Sequence, residues 1–144
     1  VCFNRAMRIN RLNDNLSVSP QLLPAEMAAV AQAGFKTVIN NRPDGEEAGQ
    51  PAIADIKAAA QAAGMAFVDI PFTAGMQTAE DVQAFAKALA DSEGPILAYC
   101  RSGTRSTTVW AMSQTGQLSA DEIISTAAGA GYDLSPMRPI FSQR

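Results

Sequence analysis

The chain of 144 residues contains no histidine. That excludes Ser–His–Asp and Cys–His relays, which need the imidazole as their base. It has only two cysteines, Cys2 and Cys100, far apart in sequence, so no disulfide framework is implied. With histidine missing, two thiols are too few soft ligands for a zinc site. The 11 Lys and Arg stand against 14 Asp and Glu, for a net charge of −3, and they form no run. This argues against a nucleic-acid-binding surface. No apolar stretch is long enough to cross a membrane, and the segment Val1–Ala6 has no apolar core of the signal-peptide kind. A reactive thiol persists in a reducing compartment, so the protein is expected to be cytoplasmic. Residues 1–7 read as an N-terminal extension, disordered or a tag remnant, ahead of a single domain over 8–144 that is long enough to bury a core.

Helix, glycine and strand recur at Gly34, Gly64 and Gly94. Pro24 opens a helix through Ala33, and Pro51 opens another with Ile53, Ile56 and Ala60 facing inward. Thr78 with Asp81, and Ser119 with Glu122, read as capping boxes of two further helices. Strands are expected at 16–18, 36–40, 65–70 and 95–99. The alternation predicts an α/β fold: three layers, with a mainly parallel sheet of four to five strands and helices on both faces. In such sheets ligands gather beyond the carboxyl ends of the strands, which places the loops after Asn40, Ile70 and Tyr99 on one rim. The proline-containing tail after Gly131-Tyr132 is expected to lie over the surface.

One stretch carries the chemistry: Pro95-Ile96-Leu97-Ala98-Tyr99, then Cys100-Arg101-Ser102-Gly103-Thr104-Arg105-Ser106, then an apolar helix reading Thr107-Thr108-Val109-Trp110-Ala111-Met112. A thiol between a strand end and a helix N-terminus lies near unpaired N–H donors and the positive end of the helix dipole, which lowers its pKa. Arg105 adds a planar fork of donors suited to a tetrahedral oxyanion. Gly103 permits a left-handed or crowded backbone. Ser106 is placed to donate to the thiolate. Cys100 and Arg105 are therefore the expected catalytic pair, with Arg101, Ser102, Gly103, Thr104 and Ser106 around the anion. Arg101 either reaches the ligand or points to water. In the loop after the second strand, Arg42 is a candidate anion ligand, and Asp44 or Glu46 a candidate proton carrier. The alternative there is a solvated turn. Tyr99, Trp110 and Met112 read as core, and Asp69 as facing away from the site.

The loop Cys100–Ser106 resembles the active loop of rhodaneses, which transfer sulfane sulfur through a cysteine persulfide. It also resembles the loop of cysteine-dependent phosphatases, in which five residues separate Cys from Arg; here four do. With the segments Leu12–Gln21, Asn40–Glu47 and Ala130–Pro136, the chain resembles the phosphatase-like domain of the beta-lactamase-hydrolase-like family. That resemblance implies a dual-specificity-phosphatase-type fold and either phosphatase or sulfurtransferase chemistry.

Two departures favour sulfur. The shorter loop offers one donor fewer around a phosphoryl group. The loop Pro71–Gln77, where phosphatases of this fold carry an aspartate acid, has no carboxylate. The expected function is transfer of sulfane sulfur through a Cys100 persulfide. The alternatives are phosphate-monoester hydrolysis through a phosphocysteine and a non-enzymatic anion- or protein-binding module. The expected partners are a small anion (thiosulfate, a persulfide or a phosphate ester) and a thiol acceptor, without cofactor, metal, nucleic acid or membrane.

Overall fold

A computed structural model describes residues 7–142. The extension up to Ala6, including Cys2, lies outside the described residues. Met7, the last residue read as extension, packs against the core.

The described residues form one sheet of five strands and six α-helices. The strands are β1 (Asn10–Arg11), β2 (Leu16–Ser19), β3 (Thr37–Asn40), β4 (Ala66–Asp69) and β5 (Ile96–Tyr99). Their order is β1-β2-β5-β3-β4, with only the β1–β2 pair antiparallel. The helices are α1 (Met27–Gln32), α2 (Ile53–Ala62), α3 (Ala79–Asp91), α4 (Thr104–Ser113), α5 (Ala120–Gly129) and α6 (Arg138–Phe141). The expected three-layer α/β fold is present.

Strand alternation divides the core. Ile96 and Ala98 of β5 join Leu16, Val18 and Ile39 under α3, α4 and α5, with Phe85, Val109, Trp110 and Ile123. Leu97 and Tyr99 point the other way, to Val30, Val38, Ile56 and Ala60 under α1 and α2. Each fully buried aliphatic or aromatic side chain contributes roughly 1.5–3 kcal/mol. β5 is buried at every position, as suits a central parallel strand, whereas β4 at the sheet edge exposes Ala66 and Asp69. Both capping boxes form: Thr78 accepts from the Asp81 N–H, and Ser119 from the Glu122 N–H.

Two expectations need correction. The chain after Gly131 does not merely cover the surface. It makes a 3-10 turn at Ser135–Met137 and then α6, and it drives Leu134 and Phe141 into the core. Pro136 and Pro139 sit in the first turns of these elements, where the missing N–H costs nothing. The helix after the Cys100 loop also begins earlier than its apolar run, at Thr104. No helix among the described residues is long and apolar enough to cross a membrane.

Candidate active site

β2, β5 and β3 end level with one another: Tyr99 pairs with Ser19 on one side and Asn40 on the other. Cys100 is the first residue beyond that ladder. Its N–H donates to the Ser19 carbonyl (3.4 Å), and the Asn41 N–H donates to the Tyr99 carbonyl (2.8 Å). Alternation along β5 turns Cys100 towards the layer that holds α4. The loop is closed by Gly103, the N-cap of α4, at φ 95°. No other residue type adopts that conformation without strain. The Gly103 N–H donates to Cys100 Sγ at 3.1 Å. The N–H groups of Thr104, Arg105 and Ser106 open α4 and lack carbonyl partners within the helix. Cys100 thus lies at the positive end of a ten-residue helix, 1 % exposed, at the floor of the loop.

Arg105 projects from the first turn of α4. Its Nη1 donates to Glu46 Oε2 (2.8 Å) and to the Phe72 carbonyl (3.1 Å), and its Nη2 donates to Glu46 Oε1 (2.8 Å). A guanidinium has five N–H bonds, so two remain. Cys100 is close enough to act on the charge of Arg105. The Arg105 pKa is raised, first by the hydrogen bond to Glu46 and then by Cys100, against the opposing effect of burial. Sulfur and guanidinium therefore lie near enough to interact.

Arg42 does something other than bind the anion. Only 1 % exposed, it donates from Nε to Glu46 Oε1, from Nη2 to Glu47 Oε1 (both 2.8 Å) and from Nη1 to Gln21 Oε1 (3.0 Å). Glu46 is consequently gripped by two arginines, one behind it and one from the cradle. Its carboxyl is held down at about 2, chiefly by the Arg105 hydrogen bond and, against the cost of burial, by Arg42. Such a group carries no proton at neutral pH. Glu47 is lowered as well, first by the Arg42 hydrogen bond.

Asp44 is engaged with the start of α2. Its Oδ1 accepts from the Ile53 N–H at 2.8 Å and so caps α2. Ser106 does not serve the thiolate: its single hydroxyl proton goes to Asn41 Oδ1 (2.8 Å), while Asn41 Nδ2 donates to the Ile70 carbonyl (3.0 Å). This ties the first turn of α4 to two rim loops. Arg101 points outward, its side chain 67 % exposed and its Nε 3.7 Å from Glu47 Oε1. The Ser102 hydroxyl donates to Thr104 Oγ1 (3.0 Å) on the outer lip of the loop. Asp69 faces away as expected, its Oδ1 accepting from Asn40 Nδ2 (2.8 Å). Tyr99 is buried, which pushes its phenol up.

One candidate has a different role from the one the sequence suggests, and one participant is not visible in the sequence. Glu46 is a counter-ion rather than an acid, and only the approach of Arg42 and Arg105 from opposite sides reveals it. Tyr132 reaches the loop from the end of α5, its hydroxyl donating to the Ser102 carbonyl (3.0 Å). Among the described residues no three His, Cys, Asp or Glu side chains are grouped as a metal ion would require.

The two arginines around Glu46 make a testable pH dependence. The folded carboxyl, at about 2, lies below its ordinary value of 4.5. The stability it supplies is therefore complete above 4.5 and lost as the pH falls towards 2. We expect the Tm of the wild type to exceed that of Glu46→Gln by a constant margin at neutral pH. That margin should shrink between pH 4.5 and 2 in parallel thermal melts. A margin independent of pH in that window would mean that the carboxylate charge contributes nothing.

Comparison with known proteins agrees with this architecture. The sequence profile of the family described as "Beta-lactamase hydrolase-like protein, phosphatase-like domain" matches residues 8–117. The beta-lactamase hydrolase-like protein of Agrobacterium fabrum is 37 % identical over 130 residues, covering 89 % of this chain but 30 % of that protein. Its counterpart in Xylella fastidiosa strain 9a5c is 38 % identical over the same length, with the same coverage. The chain thus spans less than a third of the length of these relatives. A Neisseria meningitidis crystal structure, of a protein named a candidate phosphatase, superposes with a TM-score of 0.86 at 40 % identity, covering 94 % of this chain and 97 % of that one. The Pseudomonas aeruginosa protein TpbA, as a cysteine-to-serine variant in complex with pTyr, shares the fold with a TM-score of 0.66 at 19 % identity, covering 92 % and 80 % of the two chains. On the strength of the profile match, the chain belongs to the family of phosphatase-like domains of beta-lactamase hydrolase-like proteins, and it has the fold of the cysteine phosphatases.

Proposed function

We propose that the domain transfers sulfane sulfur through a persulfide on Cys100. The observation that carries this reading is that Glu46 and Glu47, the carboxylates nearest the cradle arginines, are held as their counter-ions. Asp44 caps α2, Glu46 is clamped by Arg42 and Arg105, and Glu47 is held by Arg42. The loop from Pro71 to Gln77 contains none. Expelling an alkoxide from a phosphate ester calls for a proton donor, and neither Glu46 nor Glu47, each paired with arginine, is placed to be one. Sulfur transfer has no such need. The Cys100 thiolate attacks the outer sulfur of thiosulfate, the S–S bond of thiosulfate breaks, and sulfite departs with the electron pair. The outer sulfur remains on Cys100 as a persulfide anion. An acceptor thiolate or cyanide then attacks that sulfur, and Cys100 leaves as the thiolate. Charge balances in both steps and no proton moves. Gly103 N–H, the opening turn of α4 and the two remaining N–H bonds of Arg105 stabilise the anion throughout.

A second reading, hydrolysis of phosphate monoesters through a phosphocysteine, has the relatives on its side. The 40 %-identical Neisseria protein is named a candidate phosphatase, and TpbA was crystallised with phosphotyrosine. These likenesses favour phosphoryl chemistry over sulfur, whereas the spacing of Cys100 and Arg105 and the committed carboxylates favour sulfur over phosphoryl. One pair of assays separates them. Incubation with thiosulfate is expected to leave the intact protein heavier by one sulfur atom, removable by cyanide, with steady thiosulfate:cyanide turnover. Aryl phosphate is expected to be hydrolysed slowly and to leave no phosphocysteine on acid quench. Brisk phosphate release without any sulfur adduct would overturn the sulfur reading in favour of the phosphatase.

A further inference from the structure

We propose that Tyr132 is a positioning residue that fixes the peptide unit whose N–H holds the sulfur of Cys100. The inference rests on Cys100 being the nucleophile, but not on what the nucleophile transfers.

The argument begins with the end of α5. Gly131 takes φ 100°, the Gly131 N–H donates to the Ala128 carbonyl (3.0 Å) and the Tyr132 N–H to the Ala127 carbonyl (2.9 Å). This paired closure is a Schellman motif, and it sets the direction in which Tyr132 leaves the helix. The ring extends to the Cys100 loop. Its hydroxyl donates to the Ser102 carbonyl (3.0 Å) and accepts from Asn10 Nδ2 (2.9 Å), so the oxygen is held from two sides. A Cβ on Gly103 would lie 2.1 Å from that oxygen, so the ring is packed directly against the loop.

The Ser102 carbonyl and the Gly103 N–H belong to one peptide group. That group is planar and trans, so holding its oxygen aims its N–H. The N–H so aimed is the one that donates to Cys100 Sγ at 3.1 Å. A hydrogen bond received by the carbonyl also polarises the same amide and strengthens it as a donor. Tyr132 therefore acts on the sulfur through a single rigid link. Asn10, on β1, completes the chain by orienting the phenol. The thiolate and the persulfide both carry charge at this end of the side chain, so both gain from a donor that needs no reorientation.

The test is the pH dependence of Cys100 alkylation by iodoacetamide, followed by intact mass from about pH 5 to 9, for wild type, Tyr132→Phe and Asn10→Ala. The phenylalanine keeps the ring against Gly103 and removes only the hydroxyl. Its alkylation midpoint is expected to move up by about half to one pH unit, with the rate below the midpoint falling about three- to tenfold. Asn10→Ala should move it the same way by less. A Tyr132→Phe profile that superposes on the wild type would overturn the proposal. So would a uniformly slower profile with an unchanged midpoint, which is the mark of a purely structural role. If Tyr132→Phe fails to fold by thermal melt, Asn10→Ala decides: an upward shift supports the proposal and none overturns it. Iodoacetamide carries neither sulfane sulfur nor phosphate. A shifted midpoint in a protein that takes no sulfur from thiosulfate would therefore keep this inference and sink the sulfurtransferase reading alone.

Discussion

Cys100→Ser is expected to reduce thiosulfate:cyanide turnover to the blank, a loss of about a thousandfold or more. Serine is isosteric enough to stay in the site. The position is 1 % exposed, and the hydroxyl oxygen accepts the Gly103 N–H in place of sulfur, so the melting temperature should stay close to wild type. What is lost is chemical. An alcohol is scarcely ionised at neutral pH, even beside Arg105 and the N-terminus of α4, and oxygen cannot take up and release a sulfane sulfur as a disulfide-like bond does. Turnover and a thermal melt on the same sample distinguish a missing nucleophile from a missing fold. A serine variant that folds and keeps most of its turnover would remove Cys100 from the reaction and leave both proposed chemistries without a centre.

The features legible in the sequence were those set by near neighbours in the chain. The capping boxes at Thr78 and Ser119, the left-handed Gly103 and the approach of β5 to Cys100 each depend on a handful of consecutive residues, and each is present. The Cys100–Arg105 pair falls in the same class, because one turn and the opening of one helix bring the two together. α4 began earlier than expected because Thr104-Arg105-Ser106-Thr107 offers no apolar spacing of its own. That turn is held by contacts from outside it, namely Ser106 to Asn41 and Arg105 to Glu46. The β1 strand has two residues, too few for any pattern to show.

Arg42, Asp44 and Glu46 meet partners that local sequence does not specify for a charged loop residue. Arg42 and Glu46 are four apart, and a solvated pair or a ligand site looks the same at that spacing. The difference is that Arg42 is sealed under the rim and must have its charge matched. A buried charge left unmatched is costly, so the carboxylates near Arg42 are conscripted as its counter-ions. Tyr132 and Asn10 lie 122 residues apart, and nothing in either segment points to the other. The tail likewise reads as a surface strap from its prolines, yet Phe141 has a place in the core that only the packed α4 and α5 create.

Arg105→Lys is expected to lower kcat/KM for thiosulfate about a hundredfold, equivalent to about 2.7 kcal/mol of transition-state stabilisation. The charge survives the substitution, so a role in field alone would leave the rate nearly intact. The geometry requires more than charge. Arg105 serves both oxygens of Glu46 and the Phe72 carbonyl with one edge of its plane, and it keeps two N–H bonds for the sulfur and its anion. A lysine ammonium is a point with three donors. Drawn to Glu46, it cannot also stand beside Cys100, and drawn to Cys100, it abandons Glu46. The loss should fall mainly on kcat, since the anion still meets the N-terminus of α4 on binding. Stability should change little, because Glu46 retains Arg42. Added guanidinium should partly restore Arg105→Ala and leave Arg105→Lys unmoved, for in the lysine variant the space is filled. A lysine variant within threefold of wild type would show that Arg105 contributes its charge and nothing of its shape. The clamp on Glu46 would then be a structural feature separate from the chemistry at Cys100.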